Sequence, residues 1–157
     1  LILLHRGKEY LLQELQPNLK KLTAIEFKVL KSRQVGLSIS LLDKQDLLDR
    51  FDEVLFKITA ITGVGLPSTD LLIKFLKEQI IDFLLEFGYE DLTIDEILLA
   101  FMINAENNLQ TPAGIELQYI ENFGKYINVY HLSKIVCNYM AIRNLLDRKI
   151  QNQIDGY

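Results

Sequence analysis

The sequence predicts an all-α fold, an irregular bundle of six to seven helices in a single domain. Three observations predict it. Apolar residues recur at helical spacing along nearly the whole chain. Capping residues and Gly or Pro stops punctuate that pattern at short intervals. No alternating apolar–polar run is long enough to compete as a strand. With 157 residues, 49% of them hydrophobic, the chain can bury a core without metal or disulfide help, and wholesale disorder is excluded.

The elements follow in order. Residues 1–15 carry apolar positions at helical spacing and predict a first helix that ends before Pro17. Asn18 then caps a second helix reaching about Ser32, with Leu19, Leu22, Ile25, Phe27 and Leu30 inward and Lys20, Lys21, Lys28 and Lys31 outward. Val35 to Ile39, with Gly36 inside, reads as a connector, with a short strand as the lesser alternative. Ser40 or Asp43 opens a third helix whose stripe is Leu47, Phe51, Val54, Ile58 and Ile61. Gly63-Val64-Gly65 stops it. Pro67-Ser68-Thr69-Asp70 starts the next helix, for which Leu72, Phe75, Leu76, Ile80, Phe83, Leu84 and Phe87 predict a broad buried face ending at Gly88.

Thr93-Ile94-Asp95-Glu96 is a capping box, opening a helix to about Asn107. Asn107, Asn108, Thr111, Pro112 and Gly114 make a loop, and residues 115–122 make a short helical piece. Asn128 caps the last helix, lined inwardly by Leu132, Ile135, Val136, Tyr139, Ile142, Leu146 and Ile150. The division is then a basic N-terminal helical arm (1–40), a helical core (41–150) and a frayed tail (151–157).

The net charge of −4 conceals segregation. Residues 1–40 carry seven Lys/Arg and three acids, residues 41–110 five and fourteen, and residues 111–157 five and four. A basic arm beside an acidic middle suggests charged partners, or one segment covering another. No apolar run approaches the about 18 residues a membrane span requires, so no membrane role is expected. The run Leu1–Leu4 is broken at once by Arg6, Lys8 and Glu9, too short for a signal peptide.

Chemistry-bearing clusters are sparse. Gly63 and Gly65 lack the Gly-Lys-Ser/Thr of a phosphate loop and read as a turn. One Cys and two His leave almost no material for a zinc site. Cys137 reads as a buried structural thiol, and His131 has no sequence partner placed to make it a general base. Asp46–Arg50 and Glu53–Lys57 are favourable i,i+4 pairs. The stripe Glu78, Asp82 and Glu86 has no cation at i+4 within it, and a basic partner surface or the chain's own basic arm can meet it. Phe123, Tyr126, Tyr130 and Tyr139 cluster with Lys125, Lys134 and Arg143. That combination serves base stacking on nucleic acid, a protein interface, or, for Phe123 and Tyr139, plain core. Lys20, Lys28 and Lys31 share one helix face and carry the same ambiguity, with a solvated face as the bland reading. We therefore expect no catalytic residues, no metal, no cofactor and no small-molecule substrate.

Phe87-Gly88-Tyr89, Leu92-Thr93-Ile94-Asp95-Glu96-Ile97, Ala100-Phe101, Phe123-Gly124, Leu132 to Val136, Tyr139 and Arg143 form one further pattern. An LTxxEIxxAF helix is followed by a loop and a YxxxR helix. This resembles small, largely uncharacterised helical proteins of tailed phages and prophages, over residues 87–148. The resemblance implies a phage or mobile-element origin, and a replication accessory or virion component in the host cytoplasm or the virion. It brings no catalytic site with it. The function expected is a non-enzymatic adaptor working through a protein partner or homo-oligomer. The alternative is a DNA-binding replication accessory using the basic N-terminal helix and the Lys125–Arg143 surface.

Overall fold

The computed structural model describes residues 2–5, 8–11, 22–106, 117, 120 and 122–154. Five α-helices lie among the described residues: α1 (Ala24–Gln34), α2 (Lys44–Thr62), α3 (Asp70–Glu86), α4 (Ile94–Ala105) and α5 (Val129–Ile154). The all-helical core matches the expected class, with five helices where six to seven were anticipated.

The first helix is the main correction. Ile2–His5 (β1) and Lys8–Leu11 (β2) pair as an antiparallel two-stranded ribbon, with Ile2 opposite Leu11 and His5 opposite Lys8. Only Arg6 and Gly7 separate the strands, and Arg-Gly is not among the strong hairpin dipeptides, so the sequence carries little turn signal here. Apolar spacing in so short a stretch fits helix and strand alike, and here the pairing prevails over the helical reading. The second helix starts later than expected. Its cap is Thr23, not Asn18, and Thr23 and Glu26 form a complete capping box. Lys20 and Lys21 lie outside the described residues, as does most of the short helix expected over 115–122. Leu117, Ile120 and Asn122 of that stretch are described and have irregular backbone.

The remaining elements form where caps and stops place them. Asp43 caps α2, its carboxylate accepting the Asp46 amide at 2.8 Å. Gly63 ends α2 at φ 73°, a left-handed conformation that costs other L-residues roughly 1–2 kcal/mol. Thr69 caps α3, and Asn128 caps α5 by accepting the His131 amide at 3.0 Å. The Val35–Ile39 stretch is the expected connector, with an isolated bridge between Ser38 and Thr93. Helix α5 stays regular to Ile154, so residues 151–154 extend the helix where fraying was expected.

Buried side chains from all five helices join in one cluster. The stripe of α2 is buried from Leu47 to Ile58, and every inward residue expected of α5 is buried. Burying Phe51 completely contributes on the order of 2–3 kcal/mol. Cys137 is a further correction, being exposed. It lies one residue, about 100° of helix, beyond buried Val136 and so falls off the inward stripe. No helix of the described residues is long and apolar enough to cross a membrane.

Candidate functional site

Helix α3 owes its length to the Thr69 cap, to Asp70 in its first turn and to seventeen residues free of Gly and Pro. Its inward arc is Ile80, Ile81 and Leu84, with Ile73, Leu76 and Phe83 half-buried. Lys77 ties it to α2, donating to the Asp52 carboxylate at 2.6 Å and the Leu48 carbonyl at 3.2 Å. Its substantial contacts are with α2 and α5.

Among the described residues these two neighbours leave the opposite side exposed, and the broad buried face expected of α3 is corrected accordingly. Leu71, Leu72 and Phe75 stand 77%, 51% and 56% exposed, and Phe56 on α2 stands 73% exposed. Phe87 is also largely exposed, its ring stacked on Phe83 with centroids 5.2 Å apart. At 100° per residue, Phe75 lies nearly opposite the Ile80–Leu84 arc. Asp82 and Glu86 fall within about 20° of Phe75, and Glu78 about 60° away. The solvent face of α3 is thus apolar in its N-terminal half and acidic in its C-terminal half. Lys44 of α2 meets Asp82 at 3.4 Å, an exposed pair of small energetic weight. No ion pair to Glu78 or Glu86 is seen among the described residues.

The aromatic and cationic cluster expected around α5 is only partly brought together. At the start of α5, Lys125 lies over the Tyr126 ring at 5.4 Å and Lys134 over the Tyr130 ring at 4.6 Å. His131 sits between Phe123 and Tyr130, ring centroids 5.3 and 5.7 Å away. Burial, and then the Lys134 charge, hold its imidazole below the ordinary value, and its Nδ1 is buried without a hydrogen-bond partner. Phe123 is buried, so its face is closed to a base. Arg143 is buried too, and its expected surface role is corrected. Its Nη2 donates to Asp91 at 3.2 Å, and its Nη1 lies 3.5 Å from the Glu96 carboxylate. Lys28 and Lys31 are exposed on α1. That helix is tied to the far end of α5 by Lys149–Glu26 (2.9 Å) and Arg33–Asp147 (2.6 Å). Lys134 and Lys149 are fifteen residues apart, roughly 22 Å along the axis. The two basic groups therefore do not converge on one spot.

Sequence reasoning missed the interior polar network. Glu96 closes the Thr93 capping box and also accepts from the Tyr139 hydroxyl at 2.6 Å. The Thr93 hydroxyl donates in turn to the Ser32 carbonyl at 2.7 Å. Burial pushes the Glu96 carboxyl above its ordinary value, against the lowering effect of the Tyr139 bond and the Arg143 charge. Burial and the neighbouring Glu96 push the Tyr139 phenol up strongly. The available signal was a Tyr and an Arg at i,i+4 on the inward stripe of α5, which require polar partners inside. Glu96 and Tyr139 are 1% and 0% exposed, so with Arg143 they link helices inside the core. Among the described residues no cluster of His, Cys, Asp or Glu is placed to hold a metal ion. Set against protein-family models, curated proteins and solved structures, the chain matches none of them.

Proposed function

We propose that the chain is a non-enzymatic helical adaptor that binds a protein partner through the exposed face of α3. The carrying observation is the exposed apolar set Leu71, Leu72 and Phe75, followed on the same face of α3 by Glu78, Asp82 and Glu86. Large apolar side chains left exposed together on one helix face point to an interaction site. The resemblance of residues 87–148 to phage and prophage helical proteins supports replisome or virion assembly as the setting, in the host cytoplasm or the virion. The test is capture of phage and host proteins by the immobilised chain, with the Leu71→Ser/Phe75→Ser variant alongside. A partner retained by the native chain and lost by the variant is expected. A chain that stays monomeric and retains nothing refutes the reading.

A DNA-binding role is the second reading, favoured by the two cation–aromatic pairs at the start of α5. Phosphate contacts there make affinity fall steeply with salt. Flat binding of a single-stranded oligonucleotide across a salt titration, or none at low salt, removes it.

A further inference from the structure

We propose that the solvent face of α3 receives a basic amphipathic helix, its apolar anchors on Leu71, Leu72 and Phe75 and its Lys/Arg cluster against Glu78, Asp82 and Glu86. This rests on the adaptor reading and gives its partner a chemistry. Two observations carry it. Leu71, Leu72 and Phe75 stand within about 100° of one another on α3, and each is more than half exposed. The acids then continue along the same line of the same helix, within a stretch, residues 41–110, that carries fourteen acids against five cations.

The geometry fixes the partner's pattern. From Phe75 to Asp82 is seven residues, roughly 10 Å along α3. The partner's basic residues therefore lie about two turns from its apolar anchors. An apolar stripe in the i, i+3, i+4 pattern is how a helix fills such a face. The acids repel phosphate and anionic lipid, which sets nucleic acid and membranes aside for this face. A second copy docking antiparallel about the middle of α3 places one apolar half on the other acidic half, so self-association through this face is disfavoured. Opposite charges across the rim steer the encounter and make it salt-dependent.

The test uses the full chain with two labelled 18-residue probes: an amphipathic Leu/Lys helical peptide and a Leu/Glu peptide of the same apolar pattern. Binding is read by fluorescence anisotropy from low to high salt. The Leu/Lys peptide is expected to bind, at least tenfold tighter than the Leu/Glu peptide. Leu71→Ser/Phe75→Ser is expected to weaken it at least tenfold, and Glu78→Gln/Asp82→Asn/Glu86→Gln to weaken it similarly and flatten the salt dependence. All these substitutions lie on exposed or half-exposed positions, and circular dichroism checks that each variant is folded. Equal binding of both peptides, or Leu/Lys binding unchanged in either variant, overturns the proposal. A dimer in sedimentation that Leu71→Ser/Phe75→Ser dissociates makes the occupant a second copy and also overturns it. If the Leu/Lys peptide fails while apolar-dependent capture of a protein persists, the basic helix is wrong and the adaptor reading stands. If both fail, both are wrong.

Discussion

Replacing Tyr139 by Phe removes one oxygen from the interior and leaves the packing intact. The lost hydroxyl donates to Glu96 at 2.6 Å, in a site where neither residue reaches solvent. Leaving a buried acceptor short of its donor costs about 1–3 kcal/mol, and the phenyl ring keeps the remaining packing. We expect a loss of about 2 kcal/mol at pH 7. For a chain of this length that lowers Tm by about 4–8 °C and the urea midpoint by about 1 M, with unchanged m. The loss depends on pH, and its sign follows from Glu96. Burial raises its folded-state value above the ordinary 4.5, so in the window just above 4.5 the native state holds more protons than the unfolded chain. Stability from this group is full at low pH and falls as pH rises through that window. The Tyr139 bond opposes the rise, so without it the fall is steeper. The deficit of Tyr139→Phe is therefore larger at pH 7.5 than at pH 4.5. Urea unfolding followed at 222 nm at both values measures it. A cycle with Glu96→Gln should return a coupling of about 1–3 kcal/mol. A deficit below about 0.5 kcal/mol, or single variants that simply add, refutes the assignment of Glu96 as the node linking α4 to α5.

Three further outcomes follow from the same contacts. Lys149→Met takes the cation from the buried Glu26 carboxylate, and chemical denaturation should show a loss of about 3 kcal/mol; a neutral result shows that the Thr23 amide alone suffices for Glu26. His131 is held below its ordinary 6.5, so its contribution to stability is full above pH 6.5 and is lost as pH falls through its lower folded-state value. NMR titration should give its midpoint below 6.5, and His131→Gln should flatten the decline in stability between pH 7 and 5. Cys137 is exposed on α5, so a thiol reagent should label it in the native protein nearly as fast as in the denatured chain; protection by more than about tenfold contradicts that placement.

Much of this architecture was legible because caps and stops are local. Asp43, Thr69, Thr93 and Asn128 each declare a helix start within three residues of sequence, and each does so in the structure. The α5 stripe was legible for a related reason: a helix surrounded by neighbours buries whatever its period points inward. What failed depends on distant neighbours. Leu72 and Phe75 look like core by composition, but among the described residues the main neighbours of α3, α2 and α5, leave them exposed. Arg143 looks like a surface cation until Asp91 and Glu96, 52 and 47 residues away in sequence, enclose it. The β1–β2 ribbon failed otherwise: apolar spacing in a short stretch fits both periods, and backbone pairing decided between them.

The two capping boxes tie the bundle together through bonds that do not involve α3. Glu26 and Glu96 each finish a local helix start and then reach α5, through Lys149 and through Tyr139 with Arg143. Buried carboxylates held this way tie α1 and α4 to one long helix, and breaking either tie strands a charge or a hydroxyl in the interior. Helix α3 is held differently. Its ion pairs, Lys77–Asp52 and Lys44–Asp82, run to α2, the first with Lys77 largely buried and the second exposed, and apolar packing anchors it on the rest. A ligand on the outer face of α3 therefore competes with no interior polar contact, and at most exchanges the weak Lys44–Asp82 pair for its own cation. Binding there should leave the Glu96 network undisturbed. Tyr139→Phe should accordingly lower stability without weakening capture of the Leu/Lys peptide, whereas Phe75→Ser should do the reverse. The same change in both properties from either substitution would mean that the face and the interior network are one cooperative unit, contrary to the separation drawn from these contacts.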